Sequence, residues 1–339
     1  MKALISILSL ILVMMVSGMT FASTSLTGEV ETQQGFVKIS KERELYVDYV
    51  APKKGQPTLI ILNGLTYSTI DWDDFVRPLQ KHGVGILRYD MWGMGKTLLK
   101  YAPSVAPAKY EEQIEDLKKL LTVMKLKGPF NLVGLSYGGG IGLGFAGQYP
   151  KDVKNLILIA PYTEPLAGQY NWIMAQIWAT RQMFPFNHST DDELYDYFLH
   201  QIVYATYPQS EPVVLRNPFI LESVYNMVRG IRKYRPIDDL DKLKVPTHLM
   251  VARKDQYIPA DVLERFWANV PATAKRSRLF VNKSEHKIPE AVPNFAASWV
   301  YQIAIGNELL QNGTDFEGFP FDGIARSEKD VIRLNAGKE

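Results

Sequence analysis

The feature that most constrains this chain is the stretch Gly134-Leu135-Ser136-Tyr137-Gly138. Before it runs Pro129-Phe-Asn-Leu-Val133, a short apolar segment that reads as a buried strand. After it, Gly138-Gly-Gly-Ile-Gly-Leu-Gly-Phe-Ala146 is made of small and apolar residues and reads as a helix. A serine therefore stands between two glycines at a strand-to-helix turn, the setting that a G-x-S-x-G nucleophile elbow requires. So sharp a turn needs small flanking residues, and it lifts the serine oxygen clear of the backbone. The adjacent helix N-terminus, with its free N–H groups and its dipole, favours an oxyanion there. A glycine-rich turn with a chance serine has the same three fixed positions. The chemical reading therefore needs partners elsewhere in the chain.

A serine hydroxyl needs a general base, and the base needs an orienting carboxylate. The chain has 5 histidines, few enough for elimination. His82 precedes a strand, His188 and His200 lie in a helical region, and His248 lies inside a strand pattern. His286 alone follows the last strand candidate, Ser277–Asn282, and falls in a loop. Loops beyond the carboxyl ends of the strands are where an open α/β sheet builds its site. Val251-Ala-Arg-Lys-Asp-Gln-Tyr-Ile-Pro259 leaves a strand and enters a turn, and Asp255 is its carboxylate. Aspartate is also common in turns for purely local reasons. The candidate catalytic residues are Ser136, Asp255 and His286, in that order.

The rest of the chain supplies an alternation of strands and helices. Gly35–Ile39 and Glu44–Val50 partly alternate apolar and polar residues, as half-buried strands do. Thr58–Leu62 is fully apolar, as a strand covered on both faces should be. A helix over about Asp71–Lys81, a strand over Val84–Tyr89 and an amphipathic helix over Tyr110–Lys127 follow. Ile114, Leu117, Leu120, Leu121 and Met124 share one face of that last helix. Val153–Ile159 is the next strand. This order implies a mostly parallel sheet with right-handed crossovers.

After Pro161 the pattern changes. From Tyr162 to Tyr207 there are eleven aromatic residues in 46, about twice the 12% of the whole chain. The spacing is helical, and strand character resumes only at Val245–Val251. Residues 163–238 thus read as a helical insertion: a small helical subdomain with its own core, a cap roofing the serine by analogy of position, or both at once. It interrupts a core formed by 23–162 and 239–305. The aromatics around Trp172, Trp178, Phe184 and Phe186 are its largest supply of apolar surface for a substrate. Residues 306–339 read as a polar C-terminal tail, with a short helix over Ser327–Asn335.

Residues 1–22 carry an export pattern: one charge, Lys2, then an apolar run Ala3–Val16, then small residues at Thr20-Phe21-Ala22. This reads as a secretory signal peptide cleaved after Ala22, and the run is short for a membrane span of about 20 residues. No stable span is expected after cleavage, and a periplasmic or secreted location follows. With no cysteine, the chain has no disulfide, thiolate metal site or lipidated thiol. A net charge of +2 gives no sign of a nucleic-acid partner.

The elbow, the nucleophile–acid–histidine order and the late positions of Asp255 and His286 resemble the α/β-hydrolase fold superfamily, over about residues 35–305. Asp90-Met-Trp-Gly-Met-Gly-Lys-Thr97 is similar to a further signature of that superfamily, Asp-x-x-Gly-x-Gly-x-Ser, with Thr97 in the serine's place. It implies a structural loop beside the elbow. The resemblance implies that the backbone N–H groups of Leu65 and Tyr137 form an oxyanion hole. This chain has Asn63-Gly64 where the family usually has His-Gly, and Glu285 where glycine commonly precedes the histidine. A serine nucleophile sets the chain apart from the aspartate-nucleophile dehalogenases and epoxide hydrolases of the same fold. The implied reaction is hydrolysis of a small apolar ester, carboxylesterase- or lipase-like, through an acyl-serine, with no metal or organic cofactor. Other activities of the fold stay open: a proline-releasing aminopeptidase, a carbon–carbon bond hydrolase, a cofactor-free haloperoxidase or perhydrolase. A ligand-binding protein without catalysis stays open as well.

Overall fold

The structure is a computed structural model that describes residues 32–102, 108–210 and 217–335. The leader expected over residues 1–22 lies outside the described residues. One sheet organises the chain, in the order β1-β2-β4-β3-β5-β6-β7-β8-β9-β10-β11. Strands β1 (Thr32–Lys38) and β2 (Glu44–Val50) form an antiparallel hairpin, and β2 pairs antiparallel with β4 (Gly85–Asp90). From β4 through β3 (Thr58–Leu62), β5 (Phe130–Leu135), β6 (Val153–Ile159), β7 (Thr247–Ala252) and β8 (Lys275–Val281), neighbouring strands run parallel.

The central strands are apolar on both faces because both are covered. Alternate residues go to opposite sides. Leu59, Ile61, Val133, Ile157 and Ile159 join one core layer, together with Phe75, Leu79, Phe295 and Trp299. Those last four come from helices α1 (Asp73–Lys81) and α10 (Pro293–Ile305). Ile60, Leu62, Leu132, Leu156 and Leu158 join the opposite layer, with Ile114, Leu117, Ile141 and Phe145. These belong to α3 (Tyr110–Val123) and α4 (Tyr137–Gln148). Helices α2 (Gly95–Tyr101), α8 (Ala260–Asn269) and α9 (Ile288–Ala291) complete the α/β part.

Between β6 and β7 stand α5 (Ala167–Met183), α6 (Asp191–Ser210) and α7 (Pro218–Ile231). Ile173, Ile177, Leu199, Val203, Val224 and Met227 from these helices are buried within the same apolar cluster as α3 and α4. The tyrosines tie the two parts together. Tyr162 Oη donates to the carbonyl of Ile231 at 3.0 Å, and Tyr234 Oη donates to that of Gly140, inside α4, at 2.9 Å.

The C-terminal reading needs correction. Residues expected to form a polar tail with a helix over Ser327–Asn335 instead extend the sheet. β9 (Thr314–Phe319) pairs parallel with β8, and β10 (Ile324–Arg326) and β11 (Val331–Arg333) follow antiparallel. The reason is a period of two hidden in a polar sequence. Phe316, Ala325 and Ile332 are buried in one core layer while their neighbours are partly or fully exposed. Phe316 meets Trp299 edge-on, with ring centroids 5.3 Å apart.

His248 is fully buried in β7, with Nδ1 2.7 Å from Ser277 Oγ and Nε2 without a partner. Burial, helped by Arg276, pushes its pKa down from 6.5 to about 3. A base depressed in the folded state contributes stability that is present above its unfolded pKa and lost as pH falls towards the folded one. Between pH 6.5 and 3 the unfolded chain therefore takes up a proton that the native state refuses, worth about 1.4 kcal/mol per pH unit. In the double variant His248→Leu/Ser277→Ala, denaturant titrations at pH 7 and pH 5 should show a smaller acid-induced loss of stability than wild type. Equal losses in the two proteins would mean that His248 does not titrate in this way.

Candidate active site

β5 delivers the chain to the elbow, and α4 leaves it. Ser136 sits between them with φ 50° and ψ −115°. A non-glycine residue in that region is strained by about 1–3 kcal/mol, and such strain persists only where the surroundings over-determine it. Here Ser136 N–H donates to Ile159 O at 3.0 Å, while its carbonyl accepts from Gly140 N at 3.2 Å and Tyr162 N at 2.8 Å. The flanking glycines follow from close approach. A Cβ on Gly134 would lie 2.6 Å from Gly138 O, and one on Gly138 would collide with the carbonyl of Leu62.

Asp255 and His286 meet across the ends of β7 and β8. His286 Nδ1 lies 2.8 Å from Asp255 Oδ2, with both side chains buried. Against an ionised carboxylate, which only accepts, a neutral imidazole donates from Nδ1 and carries its lone pair on Nε2. The other carboxylate oxygen, Oδ1, accepts from the backbone N–H groups of Tyr257 and Ile258, each at 2.8 Å. The turn role and the partner role of Asp255 are thus held by one side chain. Tyr257 packs edge-on against the His286 ring, with centroids 5.1 Å apart. Ser136, His286 and Leu65 line one cavity of about 130 Å³. Tyr137 is the first residue of α4, and its side chain is buried beneath the elbow.

The loop carrying Leu65 is anchored by the asparagine that departs from the usual histidine. Asn63 is fully buried, accepts from Trp72 Nε1 at 2.9 Å and donates from Nδ2 to Tyr89 O at 3.1 Å. Asp90 lies beside it as a strut. Its two oxygens accept from Thr69 N and Lys96 N, each at 2.7 Å. Burial raises its pKa to about 6, against those two hydrogen bonds, which lower it. Thr97 Oγ1 donates to Asp90 O at 2.7 Å and accepts from Tyr46 N at 3.0 Å. The threonine thereby does with one hydroxyl what a serine could do there.

The other histidines are placed away from Ser136. His82 stacks on Tyr301, His200 stacks on Tyr204, and His188 is exposed. One expectation fails. Trp172, Trp178, Phe184 and Phe186 do not line the cavity, and they are 44%, 67%, 60% and 87% exposed. Leu166, Tyr170, Tyr195, Leu199, Val228 and Ile231 line it instead. Aromatic density marked the right segment, but which residues face inward depends on how three helices pack. The sequence carried no sign of Arg232 and Lys287, the cations at the cavity wall.

Comparison with known proteins gives the chain a family. The sequence pattern of the family described as serine aminopeptidase, S33, matches residues 53–289. Human monoacylglycerol lipase ABHD6 is 25% identical over 230 residues, covering 63% of this chain and 67% of that protein. A proline iminopeptidase of Saccharolobus solfataricus is 22% identical over 260 residues, covering 70% of this chain and 81% of that protein. Among solved structures, the α/β hydrolase MGS-M2 from a Medee basin deep-sea metagenome library superposes with a TM-score of 0.61. It is 21% identical and covers 80% of this chain and 98% of its own. With an α/β-hydrolase sheet, an elbow serine and a family match across most of its length, the chain belongs to the serine aminopeptidase S33 family of α/β-hydrolase enzymes.

Proposed function

We propose that this enzyme is an exported serine hydrolase that cleaves esters of apolar acids through an acyl-serine. Ser136 Oγ attacks the ester carbonyl while His286 Nε2 takes its proton. Asp255 holds the imidazole in the required tautomer and stabilises its cation. The N–H groups of Leu65 and Tyr137 receive the developing oxyanion, a contribution worth about 3–4 kcal/mol per donor. The tetrahedral intermediate collapses as His286 returns the proton to the alcohol oxygen. Water, activated by the same base, then hydrolyses the acyl-serine.

The observation that carries the ester reading is the cavity wall. It is apolar along Leu65, Leu135, Leu166, Leu199, Val228 and Ile231, and its charged residues are Arg232 and Lys287. No aspartate or glutamate is among its described lining residues. Arg232 is paired with Asp196 at 2.6 Å and with Asp192 at 3.1 Å, so its charge is offset. An aminopeptidase must accept a free ammonium group, and a lining without a carboxylate offers that group no counter-charge. The monoacylglycerol lipase relative supports the same choice. Helices α5–α7 act as a cap in this reading and set the acyl length. A p-nitrophenyl ester series should show a single preferred acyl length, and Val228→Phe should shorten it. One methylene in such a pocket is worth about 1–3 kcal/mol. Faster release of proline from prolyl anilides than of acid from any ester would overturn the ester reading.

Export rests on residues 1–22. Protein recovered from the native host should begin at Ser23 by mass spectrometry. A cytoplasmic protein that retains Met1 and Lys2 would contradict it.

A further inference from the structure

The aromatic residues around Ser136 are all of one kind. Tyr67, Tyr162, Tyr170, Tyr195, Tyr207 and Tyr257 line its cavity, six of the chain's 18 tyrosines. No phenylalanine or tryptophan is among the described lining residues, although the chain has 15 and 6 of them. Two of the tyrosine hydroxyls are committed to the protein. Tyr162 Oη donates to Ile231 O and Tyr67 Oη donates to Glu290 Oε2, each at 3.0 Å. A hydroxyl bound in this way fixes the direction of its ring, which a phenylalanine has no means to do. These two residues thus offer the cavity ring surface rather than polar groups.

Two further rings come from the helices over the sheet. Tyr170 of α5 and Tyr195 of α6 have centroids 6.3 Å apart and planes inclined at 43°. Tyr195 is held in place. The Arg232 guanidinium lies 5.1 Å from its ring centroid and is itself paired with Asp196 and Asp192. Tyr170 is 46% exposed, so much of its ring is left uncovered by the protein. Rings fixed before binding lose little freedom when a guest arrives. The cavity's size limits that guest. It measures about 130 Å³, and an apolar cavity of about 150 Å³ takes up one benzene molecule.

We propose that the acyl group of the substrate carries one aromatic ring, as in an arylalkanoic acid, and that this ring packs against Tyr170 and Tyr195. The proposal rests on the ester reading of the site and names the acyl group within it. A straight acyl chain would bury the aliphatic wall formed by Leu166, Leu199, Val228 and Ile231 just as a ring would. It would gain nothing further from the tyrosines. Aromatic rings in offset or edge-to-face contact attract one another beyond the area they bury. A cluster of fixed rings therefore discriminates in favour of another ring.

The test uses the full chain and three p-nitrophenyl esters whose acids have equal carbon number: 3-phenylpropanoate, 3-cyclohexylpropanoate and nonanoate. The leaving group is constant, so differences report the acyl arm. kcat/KM for the phenyl ester should exceed that for each of the other two by at least about fivefold. Tyr170→Leu and Tyr195→Leu keep an apolar side chain and remove a ring. Each should lower the phenyl-to-cyclohexyl ratio by at least about threefold, with far-ultraviolet circular dichroism as a check on folding. Tyr195→Phe keeps the ring and should keep the ratio. A wild-type ratio near one overturns the proposal. So does a ratio unmoved in both leucine variants, since the preference would then be one of shape alone. A ratio lost equally in Tyr195→Phe and Tyr195→Leu assigns the preference to the hydroxyl and also overturns it. Wild-type enzyme that hydrolyses none of the three esters fails at the earlier step, the ester reading itself, and takes the proposal with it.

Discussion

The contact on which the rest of the structure depends is the approach of the start of α4 to the ends of β3 and β5. Six glycines lie in that one helix, and each disfavours a helix by about 1 kcal/mol relative to alanine. Such a helix forms because its neighbours need it close. The positions of Gly134, Gly138 and Gly139 leave no room for a Cβ beside Gly138 O, Leu62 O and Pro161. The close approach forces the turn at Ser136 into a strained backbone conformation, and the same packing stabilises that conformation. The serine hydroxyl is thereby presented at the carboxyl edge of the sheet, next to free helix N–H groups.

Around this elbow the polar groups are arranged so that few are left to wander. Asn63 spans Trp72 and Tyr89, and Asp90 spans Thr69 and Lys96. These buried hydrogen bonds fix the loop that carries Leu65 from two directions. Asp255 is likewise held by two backbone N–H groups before it meets His286. Carboxylates fastened in this way lose little entropy when a neighbour becomes charged, which is the state an imidazole base passes through.

Much of this was legible in the sequence, for stated physical reasons. The elbow showed itself because close packing permits only small residues around a strand-to-helix turn. The parallel strands showed because burial on both faces makes them wholly apolar. His286 stood out because strand patterns and the helical stretch accounted for the other histidines. What stayed hidden depends on distant partners. The strands β9 to β11 are short and polar, and their alternation has meaning only against the edge of β8 and the ring of Trp299. Helix α2 starts among Gly93, Met94 and Gly95, where local signals favour a turn. The inward residues of α5–α7 are a property of three helices packed together, so aromatic content pointed at Trp178 and Phe186 when Tyr195 and Leu199 face the cavity.

The central claim is that Ser136 is a nucleophile activated by His286. Its most direct test is peptide mass spectrometry of the protein after incubation with a fluorophosphonate, which forms a stable bond only with an activated serine. The account predicts one adduct, on the peptide containing Ser136, absent from Ser136→Ala and strongly reduced in folded His286→Ala. An adduct on another residue, or undiminished labelling of Ser136 in His286→Ala, would contradict it.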